Sequence, residues 1–273
     1  MGVLDEDRLT VLMRDRVRGY VEIIRAEVEQ HPQRNVVIPD SHGMTLLDWF
    51  NYVLNEPSSE LVFNNGTRDR GRPAMRFAAF CRHQIARDCG LNRAHVLALR
   101  LYTTKVFWYI NSPFRQNNGG RVRLQNPMHR HPMPATVMFL REGMIRLRTQ
   151  AEKELQGQGA TSLWRGMRGL RVHDEFLQNG GTELAPMSTS TNLAIAANYS
   201  CNGAEGETAL IMKLKIPRNG FHQYGAGLGW LSAFPDEVER LFPPLTYLRP
   251  TDRTQNVTVE GIDFTIVEVE PHY

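Results

Sequence analysis

The sequence predicts an α+β protein whose first part is helical and whose second part is rich in strands. Up to about residue 155, apolar residues recur at the three- and four-residue spacing of amphipathic helices. After Gly157-Gln158-Gly159 the apolar segments become short, and the last of them, Phe264–Val269, has the period-2 alternation of a strand. The change of periodicity predicts a boundary between the two patterns near residue 160.

The helical part begins with an amphipathic segment from Asp7 to Glu29. A second helix is predicted from Ser41 to Leu54, with Ser41 as its N-cap. Further helical segments are predicted, in chain order, at Ala74–Arg87, Arg93–Ile110 and Ala135–Leu155.

The strand-rich part carries short segments that are bounded by glycine, proline and polar residues. The predicted strands are Ser162–Arg165, Glu183–Ser188, Ala209–Ile216, Val238–Phe242, Thr246–Leu248 and Phe264–Val269. A helix from Leu193 to about Tyr199 interrupts them. Ser190 or Thr191 is its expected N-cap.

Composition excludes several classes of partner. The 273 residues are 41% hydrophobic and carry a formal charge of +3 without a dense basic run, so no nucleic-acid partner is expected. The acidic N-terminus lacks the apolar region of a signal peptide, and no apolar run is long enough to span a membrane. Cys81, Cys89 and Cys201 lack Cys-x-x-Cys spacing, which favours a reducing compartment such as the cytoplasm.

Lysine is scarce among the basic residues. Of 32 lysines and arginines, only Lys105, Lys153, Lys213 and Lys215 are lysines, which leaves 28 arginines. A GC-rich genome would explain this bias. A secreted effector that acts in a host cytosol would also gain from having few ubiquitin acceptors. Both locations therefore stay open at the level of sequence.

Two carboxylates two residues apart, on Glu237 and Glu239, are the strongest local indication of function. If residues 237–239 are extended, both side chains share one face, with Cα atoms about 6 to 7 Å apart. One carboxylate can then stabilise a developing cation while the other orients a nucleophile. Glu-x-Glu also occurs elsewhere in the chain, and the plainer interpretation of such a pair is a solvated strand edge or helix face that carries charge. This pair differs because it follows a glycine-rich approach and precedes Pro243-Pro244.

Three motifs in order resemble those of the arginine-serine-glutamate class of mono-ADP-ribosyltransferases. They are Trp164-Arg165-Gly166, Met187-Ser188-Thr189-Ser190 and Phe234-Pro235-Asp236-Glu237-Val238-Glu239. The resemblance covers roughly Leu97 to Val269. It implies a helical lobe packed on a mostly antiparallel split β-sandwich. Residues 96–273 would form the catalytic domain, and residues 1–95 a helical region of unknown role.

The resemblance also implies a role for each residue of the first two motifs. Arg165 would present its planar fork to phosphate or ribose oxygens of NAD. Gly166 would let the backbone approach the nicotinamide amide. Ser188 would hydrogen-bond the catalytic glutamate or the nicotinamide ribose. Thr189 and Ser190 would support the strand that lines the NAD site.

The third motif and two aromatic residues complete the implied site. Glu239 is the implied catalytic residue, which binds the ribose 2′-OH and stabilises an oxocarbenium-like state. Glu237 is implied to hold the guanidinium of an acceptor arginine. Tyr199 is a candidate to stack on nicotinamide, with a core tyrosine as an equal alternative. Trp230 is a candidate in the loop that would face the target.

The predicted function is NAD-dependent transfer of ADP-ribose to an arginine of a partner protein, with release of nicotinamide. NAD is the predicted co-substrate. No metal is predicted, because His129 and His131 lack an acidic or cysteine partner nearby. An NAD glycohydrolase and a silent domain that binds NAD or a partner are the alternatives. Arg240, directly after the pair, is expected to shield or compete with the substrate guanidinium.

Overall fold

The computed structural model describes residues 19–39, 41, 43–55, 75–115, 131–155, 161–201, 208–217 and 223–273. Contacts divide the chain into two compact units, Met1–Arg146 with Leu231–Phe234, and Leu147–Trp230 with Pro235–Tyr273. In the described residues the first unit is mainly helical, and all strands of the sheet belong to the second. The predicted α+β class is therefore confirmed. A functional boundary near residue 95 stays a prediction.

The first unit is built from amphipathic helices. They are α1 (residues 19–30 in its described part), α2 (Leu46–Asn55), α3 (Phe77–Cys81), α4 (Gln84–Asp88), α5 (Arg93–Tyr102), α6 (Phe107–Arg115) and the start of α7 (Pro134–Leu155). Their apolar faces form a core in which Trp49, Phe50, Phe80, Leu97 and Leu101 are at most 1% exposed. Burial of these faces drives the packing of the helices.

Helix α2 starts later than the sequence predicts. Its first turn is closed by Thr45, whose hydroxyl oxygen accepts from the Asp48 N–H at 3.2 Å, while the Asp48 carboxylate accepts from the Thr45 N–H at 2.9 Å. This reciprocal pair is a capping box. The Ser41 hydroxyl instead donates to the Met44 carbonyl oxygen at 2.6 Å, so Ser41 was the wrong N-cap.

The single helix predicted over Arg93–Ile110 is broken into α5 and α6. At the break, the hydroxyls of Thr103 and Thr104 donate to the carbonyl oxygens of Arg100 and Leu101, at 2.8 and 2.6 Å. Such local bonds compete with the next helical turn. The prediction over Ala74–Arg87 likewise resolves into α3 and α4, whereas the prediction for α7 is confirmed.

The second unit is organised by one eight-stranded sheet in the order β2-β7-β8-β4-β1-β3-β6-β5. Its strands are β1 (Thr161–Arg168), β2 (Gly181–Glu183), β3 (Met187–Ser190), β4 (Thr208–Ile216), β5 (Ala226–Gly227), β6 (Glu239–Phe242), β7 (Thr246–Val259) and β8 (Ile262–His272). Among these strands of the described residues only β4 and β8 pair in parallel, so the predicted mostly antiparallel character is confirmed. Helices α8 (Asp174–Asn179) and α9 (Leu193–Ser200) lie between strands in the sequence.

The sheet is nearly divided between β1 and β3. Strand β1 pairs with β4 along its whole length, but its described pairing with β3 is the single pair Trp164↔Ser190. Two groups of strands therefore meet at one joint, β2-β7-β8-β4-β1 and β3-β6-β5. Buried apolar residues stabilise the unit, and Leu163, Met187, Leu214 and Phe242 are fully buried.

Several strand boundaries differ from the prediction. The strand predicted over Glu183–Ser188 is two strands, because Pro186 has no N–H to donate to a ladder. Strand β7 continues from the predicted Thr246–Leu248 to Val259, with a register shift between Pro250 and Thr254. Helix α8 and strand β5 were not predicted.

Three further observations bear on partners. In the part of the chain that the structure describes, no helix combines the length and apolar character that a membrane span requires. In the same part, no cluster of three or more His, Cys, Asp or Glu side chains could hold a metal ion. His129 lies outside the described residues. The His131 ring bonds the Ile110 carbonyl oxygen and the Met133 N–H, so it has a structural role.

Two histidines of the first unit, the buried His31 and the half-buried His131, act as hydrogen-bond acceptors through Nδ1. Nδ1 of His31 accepts from the Gln33 N–H at 3.1 Å, and Nδ1 of His131 accepts from the Met133 N–H at 2.9 Å. Burial lowers the pKa of both imidazoles below the usual 6.5. Below pH 6.5 the unfolded chain therefore binds more protons than the folded chain. These histidines contribute stability above pH 6.5 that is lost as the pH falls.

We predict that the double variant His31→Asn/His131→Asn loses less thermal stability than the wild type between pH 7.5 and pH 5.5. An asparagine oxygen can accept the same backbone N–H but does not titrate. Thermal midpoints of both proteins at the two pH values measure the effect, with the exposed His173→Asn as control. An equal acid shift in the double variant would contradict the prediction.

Candidate active site

The three sequence motifs lie on consecutive strands of the sheet. Strand β1 carries Arg165 and Gly166, β3 carries Ser188 to Ser190, and β6 begins at Glu239. The register pairs Ser190 with Glu239, and these strands are neighbours in the order β1-β3-β6. Residues separated by more than 70 positions in the sequence (165 to 239) are thus brought into one region of the second unit.

Glu239 is a buried acid that is held by a serine. It is only 6% exposed, and the Ser188 hydroxyl donates to its carboxylate. The pKa of Glu239 is raised to about 8, mainly by burial and to a lesser degree by the nearby Glu237 charge, while the Ser188 hydrogen bond opposes the shift. At neutral pH the site therefore holds a protonated acid, which a cation in contact with it would ionise.

Glu237 is positioned by a turn and not by a strand. Residues Pro235–Glu237 form a 3-10 turn, and Val238 has a φ of 46°. The prediction that residues 237–239 are extended is therefore wrong. A β-branched residue in the left-handed region is strained by roughly 1–3 kcal/mol, as backbones at functional sites often are. The turn still leaves Glu237 close enough to raise the pKa of Glu239.

Tyr199 at the end of α9 contacts the acidic pair directly. Its hydroxyl donates to Oε1 of Glu237 at 2.6 Å. The residue is 51% exposed, so the alternative that it is a core tyrosine is wrong. An exposed ring is available for stacking, and its role toward nicotinamide stays a prediction. The bond to Glu237 was not predicted from the sequence.

The remaining motif residues of β3 bind this strand to β6 and to the turn that precedes β6. The Ser190 hydroxyl donates to the Glu237 carbonyl oxygen at 2.6 Å, and the Thr189 hydroxyl donates to the Arg240 carbonyl oxygen at 2.9 Å. The side chain that caps α9 is Asn192, whose Oδ1 accepts from the Ala194 N–H at 2.9 Å. The predicted caps Ser190 and Thr191 were wrong.

Arg165 is oriented by two oxygens. One guanidinium nitrogen donates to the Ser188 carbonyl oxygen at 2.9 Å, and another donates to a Glu183 carboxylate oxygen at 3.1 Å. The other Glu183 oxygen accepts from the Ala185 N–H at 3.2 Å. Glu183 therefore helps to orient the arginine, and sequence reasoning missed it. Its only sequence signal is an acid a few residues before the Ser-Thr-Ser motif.

Gly166 lies under the backbone of α9. A Cβ atom at this position would stand 1.8 Å from the Ala196 carbonyl oxygen, which is far inside contact distance. The glycine is thus required for the close approach of helix and strand. Its predicted contact with the nicotinamide amide stays a prediction, but the close approach is a separate reason for glycine here.

Arg240 points away from Glu239. Its guanidinium carbon lies 4.2 Å from the centroid of the Tyr224 ring. Because successive strand residues face opposite sides, Arg240 and Glu239 diverge. The effect of Arg240 on a substrate guanidinium at Glu237, which lies in the turn before this strand, stays a prediction. Trp230 is partly buried in a turn at residues 229–231.

Comparison with known proteins gives one family and several similar structures. A family model described as NAD:arginine ADP-ribosyltransferase matches residues 65–265. No curated protein matches the chain. The ADP-ribosyltransferase HopU1 of Pseudomonas syringae pv. Tomato DC3000 is similar in fold at 15% identity, with 90% of this chain and 96% of that chain covered and a TM-score of 0.50.

Two other solved structures are less similar in shape. Plx2a, an ADP-ribosyltransferase toxin from Paenibacillus larvae, is 19% identical over 66% of this chain and 86% of that chain, with a TM-score of 0.43. The eukaryotic mono-ADP-ribosyltransferase ART2.2 is 15% identical over 92% of this chain and 85% of that chain, with a TM-score of 0.42.

The buried acid predicts a distinctive pH dependence. We expect kcat/KM for NAD to increase with pH up to about 8, where Glu239 loses its proton, because this parameter reports the unliganded enzyme. Glu237→Gln removes a neighbouring negative charge, so the rise of kcat/KM should occur at lower pH in this variant. Nicotinamide release, measured across pH 5.5–9.5, tests both statements. A flat profile in the wild type would contradict them.

The contact between Gly166 and α9 predicts that Gly166→Ala is disruptive. We expect a loss of roughly 1–3 kcal/mol in the free energy of unfolding, because the added methyl group cannot be accommodated. NAD cleavage should fall as well, since α9 carries Tyr199. Denaturant unfolding and nicotinamide release measure the two effects. Gly19→Ala, where nothing lies within 4 Å of the added carbon, is the control.

Proposed function

The chain belongs to the NAD:arginine ADP-ribosyltransferase family, and we propose that it transfers ADP-ribose from NAD to an arginine side chain of a partner protein. Its reaction is NAD-dependent mono-ADP-ribosylation, and the arginine acceptor is the part that we propose. The observation that carries this proposal is the Glu237 carboxylate, which Tyr199 holds beside the buried Glu239.

Arg165 suits the negative diphosphate of NAD, and Glu239 suits its positively charged nicotinamide ring. The Arg165 fork suits the diphosphate or the ribose oxygens, and its orientation is set by Ser188 and Glu183. The nicotinamide ring is a cation, and a cation beside Glu239 favours the ionised form of this acid. The buried carboxyl group would thus ionise as the substrate binds.

Glu239 would then stabilise the transition state. As the bond between nicotinamide and ribose breaks, its electron pair moves to the ring nitrogen, and positive charge develops on the ribose. A carboxylate in a buried site stabilises this charge strongly, because little water screens it. The Ser188 hydroxyl, which donates to the same carboxylate, would keep it oriented.

Glu237 would bind the acceptor. A carboxylate accepts two parallel N–H groups from a guanidinium, which fixes the attacking nitrogen. One proton must leave this nitrogen as it bonds to the ribose, and Glu237 is the nearby base that we assign to receive it. Tyr199 would limit rotation of the carboxylate, because its hydroxyl is bonded to Oε1.

Hydrolysis of NAD by water is the alternative at the same site. It requires Arg165, Ser188 and Glu239 but no clamp for a guanidinium. The bond between Tyr199 and Glu237 favours the transferase, since it orients a carboxylate that hydrolysis does not need. A silent binding domain would not require the buried acid.

We predict that Glu237→Gln separates transfer from cleavage. With labelled NAD and agmatine, the wild type should release nicotinamide and form ADP-ribosyl-agmatine in matched amounts. Glu237→Gln should lose transfer by about 100-fold while NAD cleavage persists, because the amide cannot accept a proton. Glu239→Ala should lower both by about 100- to 1,000-fold.

The exposed Glu175→Gln on α8 is the control for removal of an acid from this unit. Products are separated by mass, so that modification of the chain's own 28 arginines is counted apart. Free ADP-ribose as the only product of the wild type, with agmatine in excess, would reject the arginine acceptor and favour the glycohydrolase. Absence of nicotinamide release would favour the silent domain.

A further inference from the structure

A buried arginine in the first unit holds a distant segment of backbone. Arg100 on α5 is 1% exposed, and its guanidinium carbon lies 4.3 Å from the Phe80 ring centroid and 5.6 Å from that of Tyr52. One of its nitrogens donates to the Leu231 carbonyl oxygen at 2.7 Å. Burial of a cation is unfavourable unless hydrogen bonds compensate it. The bond to the Leu231 carbonyl oxygen is one such compensating hydrogen bond.

A second side chain just beyond α5 contacts the same segment. The Thr103 hydroxyl oxygen accepts from the Ala233 N–H at 3.0 Å, and the hydroxyl itself donates to the Arg100 carbonyl oxygen at 2.8 Å. Leu231, Ser232 and Ala233 are at most 1% exposed. Two side chains three residues apart in the sequence therefore bind two backbone groups of one buried segment.

The segment Leu231–Phe234 belongs to the same compact unit as α5. In the sequence it stands directly after Trp230 and directly before the turn Pro235–Glu237. We call residues 229–237 the acceptor loop, because the proposed function assigns Glu237 to the acceptor. We propose that Arg100 and Thr103 are positioning residues that hold this loop for acceptor binding. The inference rests on the proposed function and deepens it.

Hydrogen bonds from side chains define the backbone position more narrowly than apolar burial does. Leu231 and Ala233 alone would allow the segment to slide, because the hydrophobic effect is non-directional. The bonds from Arg100 and Thr103 fix one carbonyl group and one N–H group in place. Displacement of a binding group by about 1 Å can lower a rate by about 100-fold, so a fixed loop affects turnover.

We call the bonds from Arg100 and Thr103 to the acceptor loop the anchor. Loss of the anchor should affect transfer more than NAD cleavage. Glu239 lies on β6, beyond the acceptor loop, and is held there by β3. Glu237 lies within the loop, only three residues after Phe234. A loosened anchor should therefore raise KM for the acceptor, while hydrolysis by water continues at the same buried acid.

The test compares Thr103→Val, Thr103→Ser and Arg100→Lys with the wild type, using the full chain, labelled NAD and agmatine. Valine matches threonine in shape but cannot accept the Ala233 N–H, whereas serine retains the hydroxyl. Lysine retains one donor for Leu231. The exposed Arg93→Lys on the same helix is the control.

We expect Thr103→Val to lower kcat/KM for agmatine by about tenfold, mainly through KM, with kcat/KM for NAD hydrolysis within about twofold of the wild type. Thr103→Ser and Arg93→Lys should behave as the wild type, and Arg100→Lys should be intermediate.

Equal transfer by Thr103→Val and the wild type would overturn the inference, and so would a parallel loss of hydrolysis and transfer. If Arg100→Lys fails to fold, the valine and serine pair still decides. A wild type that makes no ADP-ribosyl-agmatine would reject the proposed function itself. If the wild type does transfer, the variants test only the role of Arg100 and Thr103 in positioning the loop.

Discussion

The pairing of β3 with β6 is the constraint on which the rest of the active site depends. These four-residue strands set Ser190 opposite Glu239, and the side chains of Thr189 and Ser190 also bond to backbone oxygens on the partner side. A slip of one residue would turn Glu239 to the other face of the sheet. Arg165 is fixed through the same strand, since it donates to the Ser188 carbonyl oxygen.

Two features of the acidic pair are unfavourable for stability and favourable for chemistry. Glu239 is an acid in a buried site, and Val238 is a β-branched residue in a left-handed conformation. Both features require support from the surrounding structure. The support comes from bonds that the sheet and α9 supply, namely Ser188 to Glu239, Ser190 to the Glu237 backbone, and Tyr199 to the Glu237 carboxylate.

The sequence was sufficient to predict the elements that periodicity or a motif defines. The division into helices and strands and the order of the three motifs followed from local pattern. Contacts between distant residues did not, because nothing near Arg100 in the sequence indicates that Leu231 accepts its hydrogen bond. The geometry at Val238 was also unpredictable, because a β-branched residue favours an extended backbone and only the surrounding turn overrides this preference.

The single joint between β1 and β3 has a consequence for the predicted contact between Gly166 and the nicotinamide amide. In the described residues the register of β1 with β3 is the single pair Trp164↔Ser190, whereas β1 pairs with β4 at eight positions. A carboxamide presents one donor and one acceptor, as does each residue of a strand. If Gly166 contacts the nicotinamide amide as predicted, this amide would bond to the backbone as one residue of a neighbouring strand does, and its departure would leave the ladder between β1 and β4 intact.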